Sequence, residues 1–176
     1  MKRQSLALIL AMVLIMTALV GCSSAPASAA GKVGTATDGS EVAIEKATMK
    51  FIKDTNEGGY QLLSTEDLNK WVTEGKEMII IDTMPADSFA KGRIPGALNA
   101  ELPKTTLADA TDEQKQAFVS LLGENKDTPI VVYCGFVGCA RSHVGAVIAM
   151  EQGFTNVYRV PGGIVAWQEA KYNVEK

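Results

Sequence analysis

Two cysteines and an arginine share one short stretch, Pro129-Ile130-Val131-Val132-Tyr133-Cys134-Gly135-Phe136-Val137-Gly138-Cys139-Ala140-Arg141-Ser142. The apolar run before Cys134 reads as a buried strand and Arg141 opens a helix, so a thiol is delivered into a glycine-containing loop at a strand-to-helix junction. Successive backbone N–H groups of such a loop, with the positive end of the helix behind them, cradle an anion. That field predicts a depressed thiol pKa and a nucleophilic thiolate at Cys134. The residues expected to hold a bound anion are Gly135, Phe136, Val137, Gly138, Cys139, Ala140 and Arg141. Arg141 is expected to orient the loop or an anionic group of the substrate.

Other candidates near this loop read as structural. A lone histidine on the first turn of a helix, His143, is expected to be solvated. Trp71 and Trp167 fall on apolar helical faces and read as core, and Asp82 reads as a structural hydrogen-bonding group at a strand end. Cys139 leaves three readings open: a redox or resolving partner of Cys134, half of a disulfide closing a small loop, or a buried thiol acting as a hydrophobe. One histidine and two loop cysteines without a C-x-x-C pairing supply no metal-ligand set.

The elements that must position these residues alternate between strand and helix. Tyr60 to Leu63 leads into Ser64-Thr65-Glu66-Asp67, a capping-box-like start to a helix carrying Leu68, Trp71 and Val72. Met78 to Asp82 is a continuous apolar run, as in a parallel strand covered on both faces. A short helix over Ala86 to Lys91 stops at Gly92, and Ala97 to Leu102 supplies the next strand. Thr111 caps a helix with Phe118 and Leu122 that ends at Gly123. Ile130 to Tyr133 presents Cys134, and a helix from Arg141 to Gln152 follows. Asn156 to Val160 forms a last strand, and Ile164 to Ala170 a closing helix. This alternation with short connections specifies an α/β domain with a mainly parallel sheet, whose ligands collect at the carboxyl ends of the strands. Ala47 to Ile52 is read as either an edge strand or a short lead-in.

The beginning of the chain reads as a targeting segment. Lys2 and Arg3 precede an apolar run from Leu6 to Val20, too short to span a bilayer comfortably. The run ends in Leu19-Val20-Gly21-Cys22, which resembles the lipobox of bacterial lipoproteins; cleavage would leave Cys22 as a lipidated first residue. An ordinary secretory signal cut near Ala30 is the other reading. Two or more acyl chains on Cys22 anchor durably, which places the expected location on the outer face of a bacterial membrane in the cell envelope. Residues 22–45, rich in Ser, Ala and Gly at the start, are read as a flexible tether, and residues 46–176 as the domain. Loss of residues 1–21 removes two cations and no acids, moving the formal net charge from −3 to −5. An acidic chain with no basic run is not built for nucleic acid.

Four segments, in order, resemble the rhodanese-like family across roughly residues 58–172. Ile81-Asp82 is similar to the family's acidic strand end, and Gly92-Arg93-Ile94-Pro95-Gly96-Ala97-Leu98-Asn99 to its Gly-His-Ile-Pro-Gly-Ala-x-Asn segment. Tyr133-Cys134 with Arg141-Ser142 resembles the active-site loop, and Gly162-Gly163-Ile164 with Ala166-Trp167 the closing motif. The resemblance implies a rhodanese-like three-layer α/β fold and a sulfurtransferase. In that chemistry the Cys134 thiolate takes a sulfane sulfur, becomes a persulfide and passes the outer sulfur to a thiophilic acceptor, a small molecule or a protein, with no dissociable cofactor. On the reading of Cys139 as a resolving partner, one of the three left open, it would attack a persulfide on Cys134, releasing sulfide and leaving a disulfide.

Departures from the family pattern qualify the substrate. Arg141 follows Cys134 by seven residues where five is common, which implies a larger pocket. The loop lacks the charged side chains of thiosulfate-using members, so polysulfide or another sulfane carrier suits it better. Arg93 stands in place of the usual histidine, and Met84 in place of a common arginine. Two other function classes are weighed. Phosphatase or arsenate chemistry wants Cys-x5-Arg and meets Cys-x6-Arg here; a non-catalytic or redox-sensing binding module would hold a Cys134–Cys139 disulfide.

Overall fold

The computed structural model describes Ala36 and residues 38–176. Cys22, the signal segment and most of the tether lie outside the described residues. The domain proper is the compact unit Val42–Lys176, and none of its helices is long and apolar enough to cross a membrane.

The first described element corrects the sequence reading. Residues 41–58 are a helix, α1 (Glu41–Gly58), so the last five residues of the expected tether and the expected strand or lead-in over Ala47–Ile52 are helical. Thr48, Phe51 and Ile52 suggest extended backbone, but Ala43, Glu45, Lys46 and Ala47 are strong helix formers. Ion pairs one turn apart, Lys50 with Asp54 and Lys53 with Glu57, reinforce the helix.

Beyond α1 the alternation appears as read. The elements are β1 (Gln61–Leu62), α2 (Thr65–Thr73), β2 (Ile79–Asp82), α3 (Ala86–Lys91), β3 (Leu98–Asn99), a 3₁₀ turn at Leu107–Asp109, α4 (Asp112–Ser120), β4 (Ile130–Tyr133), α5 (Arg141–Glu151), β5 (Val157–Arg159) and α6 (Gly163–Glu169). Ser64 caps α2 by accepting from the Asp67 amide, and Thr111 and Gln114 form a reciprocal capping box on α4. The five strands form one all-parallel sheet in the order β1-β5-β4-β2-β3.

Side-chain alternation along the central strands divides the interior into two cores, which is why the domain has three layers. Ile79, Ile81, Ile130, Val132 and Val157 pack with Phe118 of α4 and Val144 and Ile148 of α5. Ile80, Val131 and Tyr133 pack on the opposite face with Leu68 of α2 and Ile164 and Trp167 of α6. The register aligns Asp82 with Tyr133 and with Asn99, and Val132 with Arg159. The carboxyl edge of the sheet therefore gathers Asp82, Asn99, Cys134 and Arg159.

Candidate functional site

Cys134 follows β4 directly and is 1% exposed. Its position is set by the backbone on both sides. The Tyr133 carbonyl accepts from the Thr83 amide at 3.0 Å and from the Thr83 hydroxyl at 2.9 Å. The Cys134 and Gly135 carbonyls accept from the Ile164 and Val165 amides of α6, at 2.9 and 3.1 Å. This clamp needs Gly163: its φ is +56°, and an added Cβ would lie 2.1 Å from the Cys134 carbonyl oxygen.

From there the loop rises and returns. Gly135 is buried, while Phe136, Val137 and Gly138 form an exposed tip, with Phe136 59% and Val137 42% accessible. The Cys139 amide donates to the Phe136 carbonyl at 3.0 Å and brings the chain back to Ala140, the buried N-terminal flank of α5. Cys139 is only half-buried, and both cysteines carry free sulfurs. Of the seven predicted loop residues, Gly135, Cys139, Ala140 and Arg141 lie buried or half-buried at the base of the loop, and Phe136, Val137 and Gly138 form its exposed tip.

The cradle serves a different sulfur from the one expected. The Gly135 and Arg141 amides bond to the Cys139 sulfur, which also shares a hydrogen bond with the Cys134 thiol. That bond, the two amides and the Arg141 charge lower the Cys139 pKa to about 5. Cys134 moves the other way: its hydrogen bond to Cys139, burial and the neighbouring negative charge push its thiol up. The depressed thiol predicted at Cys134 is thus found at its neighbour, with Cys139 lowered and Cys134 raised. The Cys134 Sγ lies 3.4 Å from the Cys139 carbonyl oxygen and 3.2 Å from the Ser142 hydroxyl.

Beneath the loop sits Arg159, 1% exposed, a residue the sequence reading passed over. Its Nε donates to Ser142 Oγ at 2.9 Å, Nη1 to the Tyr60 hydroxyl at 3.1 Å and Nη2 to the Cys139 carbonyl at 2.9 Å. Its guanidinium lies 4.7 Å from the Phe51 ring centroid. None of the ion pairs among the described residues includes it. A charge in an otherwise apolar final strand, Val157-Tyr158-Arg159-Val160, is the signal that could have found it. Ser142 was likewise given no role.

His143 is not merely solvated. The Tyr60 hydroxyl, which accepts from Arg159, also shares a hydrogen bond with His143 Nδ1, 3.0 Å away. Burial lowers the His143 pKa, with the Arg159 charge adding to it against Asp54. Arg141 is mostly buried: Nη2 is 3.9 Å from Glu101, and Nε has no partner among the described residues. Asp82 accepts from the Met84 amide at 2.8 Å, the structural role expected of it, and burial raises its carboxyl pKa. Asn99 closes the same turn by donating to the Asp82 and Met84 carbonyls, at 3.0 and 2.9 Å. Trp167 is core, with its Nε1 donating to the Asn173 carbonyl at 2.7 Å.

A parallel α/β domain with a cysteine loop between the central strand and its helix, clamped by a glycine-led closing helix, is a rhodanese-like arrangement. The chain belongs to the rhodanese-like domain family, which it matches over residues 64–170. It is 32% identical over 99 residues to the thiosulfate sulfurtransferase GlpE of Shewanella oneidensis, covering 56% of this chain and 84% of that protein. It is 26% identical over 113 residues to the tRNA uridine(34) hydroxylase of Bdellovibrio bacteriovorus, covering 64% of this chain and only 30% of that one. Among solved structures, the polysulfide-sulfur transferase homodimer of Wolinella succinogenes superposes with a TM-score of 0.53 at 18% identity, over 78% of this chain and 90% of that one, a likeness of fold.

Proposed function

We propose that this protein is a sulfurtransferase that moves sulfane sulfur through a cysteine persulfide in the loop 134–141, with Cys134 as the cysteine that transfer requires. The observation that carries the reading is the pair of free thiols in one loop at the carboxyl edge of the sheet, one of them held low by backbone amides and by its neighbour. A thiolate so held is a soft nucleophile suited to sulfur, and covalent carriage divides one difficult transfer into two easier ones. The sulfurtransferase name of a relative matched over 84% of its length supports the same class. The loop's one charged side chain is Arg141, whose unpartnered Nε suits a single anionic terminus, which favours polysulfide as donor over a compact dianion. The acceptor is a thiophilic small molecule or a protein thiol.

The reading extends to location. Lipid on Cys22 anchors the domain at the extracytoplasmic face of the membrane, behind a signal ending at Gly21. Metabolic labelling with a palmitate analogue tests this: the wild-type chain takes label and partitions with membranes, and Cys22→Ser does neither. Label retained by the variant would overturn the anchor.

The activity test uses the detergent-solubilised full chain with polysulfide as donor, a dithiol as acceptor and sulfide as readout. Cys134→Ser is expected to lose at least about nine-tenths of turnover, since the dithiol must then do alone what the second thiol does in place. Unchanged turnover in that variant removes Cys134 from the mechanism.

A further inference from the structure

The proposed function requires a thiol in the loop to meet the donor, and the two cysteines are not equivalent in this respect. Cys134 is sealed, at 1% exposure, beneath the loop carbonyls and the amides of α6. Cys139 is only half-buried and shares its loop with the exposed Phe136 and Val137, an apolar rim compatible with a polarisable sulfur chain. The Gly135 and Arg141 amides and the Cys134 thiol stabilise the Cys139 thiolate, and the Cys134 Sγ lies 3.4 Å from the Cys139 carbonyl oxygen. The receiving position for an anionic sulfur is therefore already filled by the second cysteine's own sulfur.

Resting on the sulfurtransferase reading, we propose that Cys139, and not Cys134, meets the sulfur donor, and that Cys134 then closes on it from inside as a disulfide and expels sulfide. In the first step the Cys139 thiolate attacks the terminal sulfur of a polysulfide. A bond forms from Cys139 Sγ to that sulfur, the sulfur–sulfur bond behind it breaks, and the shortened polysulfide leaves. Cys139 now carries an anionic persulfide whose negative charge has moved one bond outward to the terminal sulfur, so Cys134 no longer faces a thiolate on Cys139 Sγ. In the second step Cys134 gives up its proton and attacks Cys139 Sγ on the side away from the outer sulfur. The Cys134–Cys139 bond forms, the outer sulfur departs with the electron pair of the broken bond, and it takes up a proton as hydrosulfide. The two cysteines are oxidised by two electrons and one sulfane sulfur is reduced to sulfide, so no further oxidant enters. A dithiol reductant resets the pair by exchange. The chain would thus act as a reductase of sulfane sulfur, with each cysteine in a fixed role.

The inward attack suits the surroundings of Cys134. Ser142 Oγ already accepts from Arg159 Nε, which leaves its hydroxyl proton to the Cys134 sulfur as that sulfur ionises. A thiolate formed there lies one hydrogen bond from a buried cation that has no carboxylate partner among the described residues.

A single-turnover experiment on the reduced full chain in detergent tests the order. One equivalent of polysulfide is added, the reaction is stopped with an alkylating agent at timed intervals, and intact mass, the modified peptide and released sulfide are read together. The wild type is expected to lose two hydrogens as a Cys134–Cys139 bridge and to release one sulfide per chain. Cys134→Ser, with Cys134→Ala as a second version should serine disturb the core, is expected to stop one sulfur heavier on Cys139. Cys139→Ser is expected to take sulfur at least about tenfold more slowly. Charging of Cys134 at the wild-type rate in Cys139→Ser, or a lasting persulfide on Cys134 in the wild type with Cys139 free, overturns the order and leaves the sulfurtransferase reading standing. A wild-type chain that gains no sulfur, forms no bridge and releases no sulfide overturns both.

Discussion

Arg159 Nε donates to Ser142 Oγ at 2.9 Å, and Ser142 Oγ lies 3.2 Å from the sulfur of Cys134. A residue of the last strand is thereby coupled, through one hydroxyl, to the cysteine that follows the central strand. All three hydrogen-bond acceptors of the guanidinium are neutral, and none of the ion pairs among the described residues includes it. Burial of a charge on such terms costs several kcal/mol.

That cost predicts an unusual mutant. Replacing Arg159 by methionine of similar length should leave the melting temperature within a few degrees of the wild type or raise it, because the desolvation penalty disappears with the charge. Sulfide release should fall roughly tenfold or more, since Ser142 and the Cys139 carbonyl lose their common anchor. Arg159→Lys should not restore activity, because one ammonium cannot span three acceptors arranged for a planar fork. Calorimetry and the sulfide assay together check this.

Removing the same charge should also be visible at His143. Burial is the first cause of its lowered pKa and the Arg159 charge contributes. The imidazole of Arg159→Met is therefore expected to titrate at higher pH than in the wild type, read from its ring proton shifts by NMR.

The thiols give a pH signature. With Cys139 at about 5, its labelling by iodoacetamide should persist at pH 6 and fade only as pH drops through 5. An ordinary cysteine has about 0.3% thiolate at pH 6, but a low-pKa thiolate is intrinsically less nucleophilic, so the net advantage is on the order of tenfold. Peptide mapping should find the label on Cys139 first and on Cys134 last. For stability, a folded pKa below the unfolded one means that this group adds stability above the ordinary thiol range. The contribution shrinks as pH falls toward 5 and is gone below it.

Gly163→Ala should be far more damaging than an exposed Gly→Ala change. The backbone is left-handed there, and the new Cβ would press 2.1 Å from the Cys134 carbonyl oxygen. A loss of about 3 kcal/mol is expected by urea unfolding, with sulfide release impaired beyond what the folded fraction explains.

Much of this architecture is legible in the chain. The run at Met78–Asp82, the capping signals at Ser64 and Thr111 and the strand before Cys134 locate their elements to within a residue or two, because each rests on local periodicity or a local hydrogen bond. What escapes is whatever depends on the far end of a long-range contact. Helix α1 was misjudged because a few β-branched and aromatic residues outweighed a helix-forming context. Arg159 escapes because its one local signal, a charge in an otherwise apolar strand, does not name its partners; its meaning lies with Tyr60, Cys139 and Ser142. The assignment of the cradle to Cys134 failed for a related reason: spacing predicts that amides converge, but not which of two nearby sulfurs they meet.

The clamp from α6 has a consequence for how the protein is made. The carbonyls of Cys134 and Gly135 are held by the amides of Ile164 and Val165, and the Glu175 backbone exchanges hydrogen bonds with Arg93 at 2.9 and 3.0 Å. During synthesis, a chain that has emerged only as far as Val160 contains both cysteines, Ser142 and Arg159, yet lacks the donors that fix the start of the loop. The reactive arrangement waits for residues that follow Val160 in the chain, so the nascent thiols remain ordinary ones until α6 has emerged and docked.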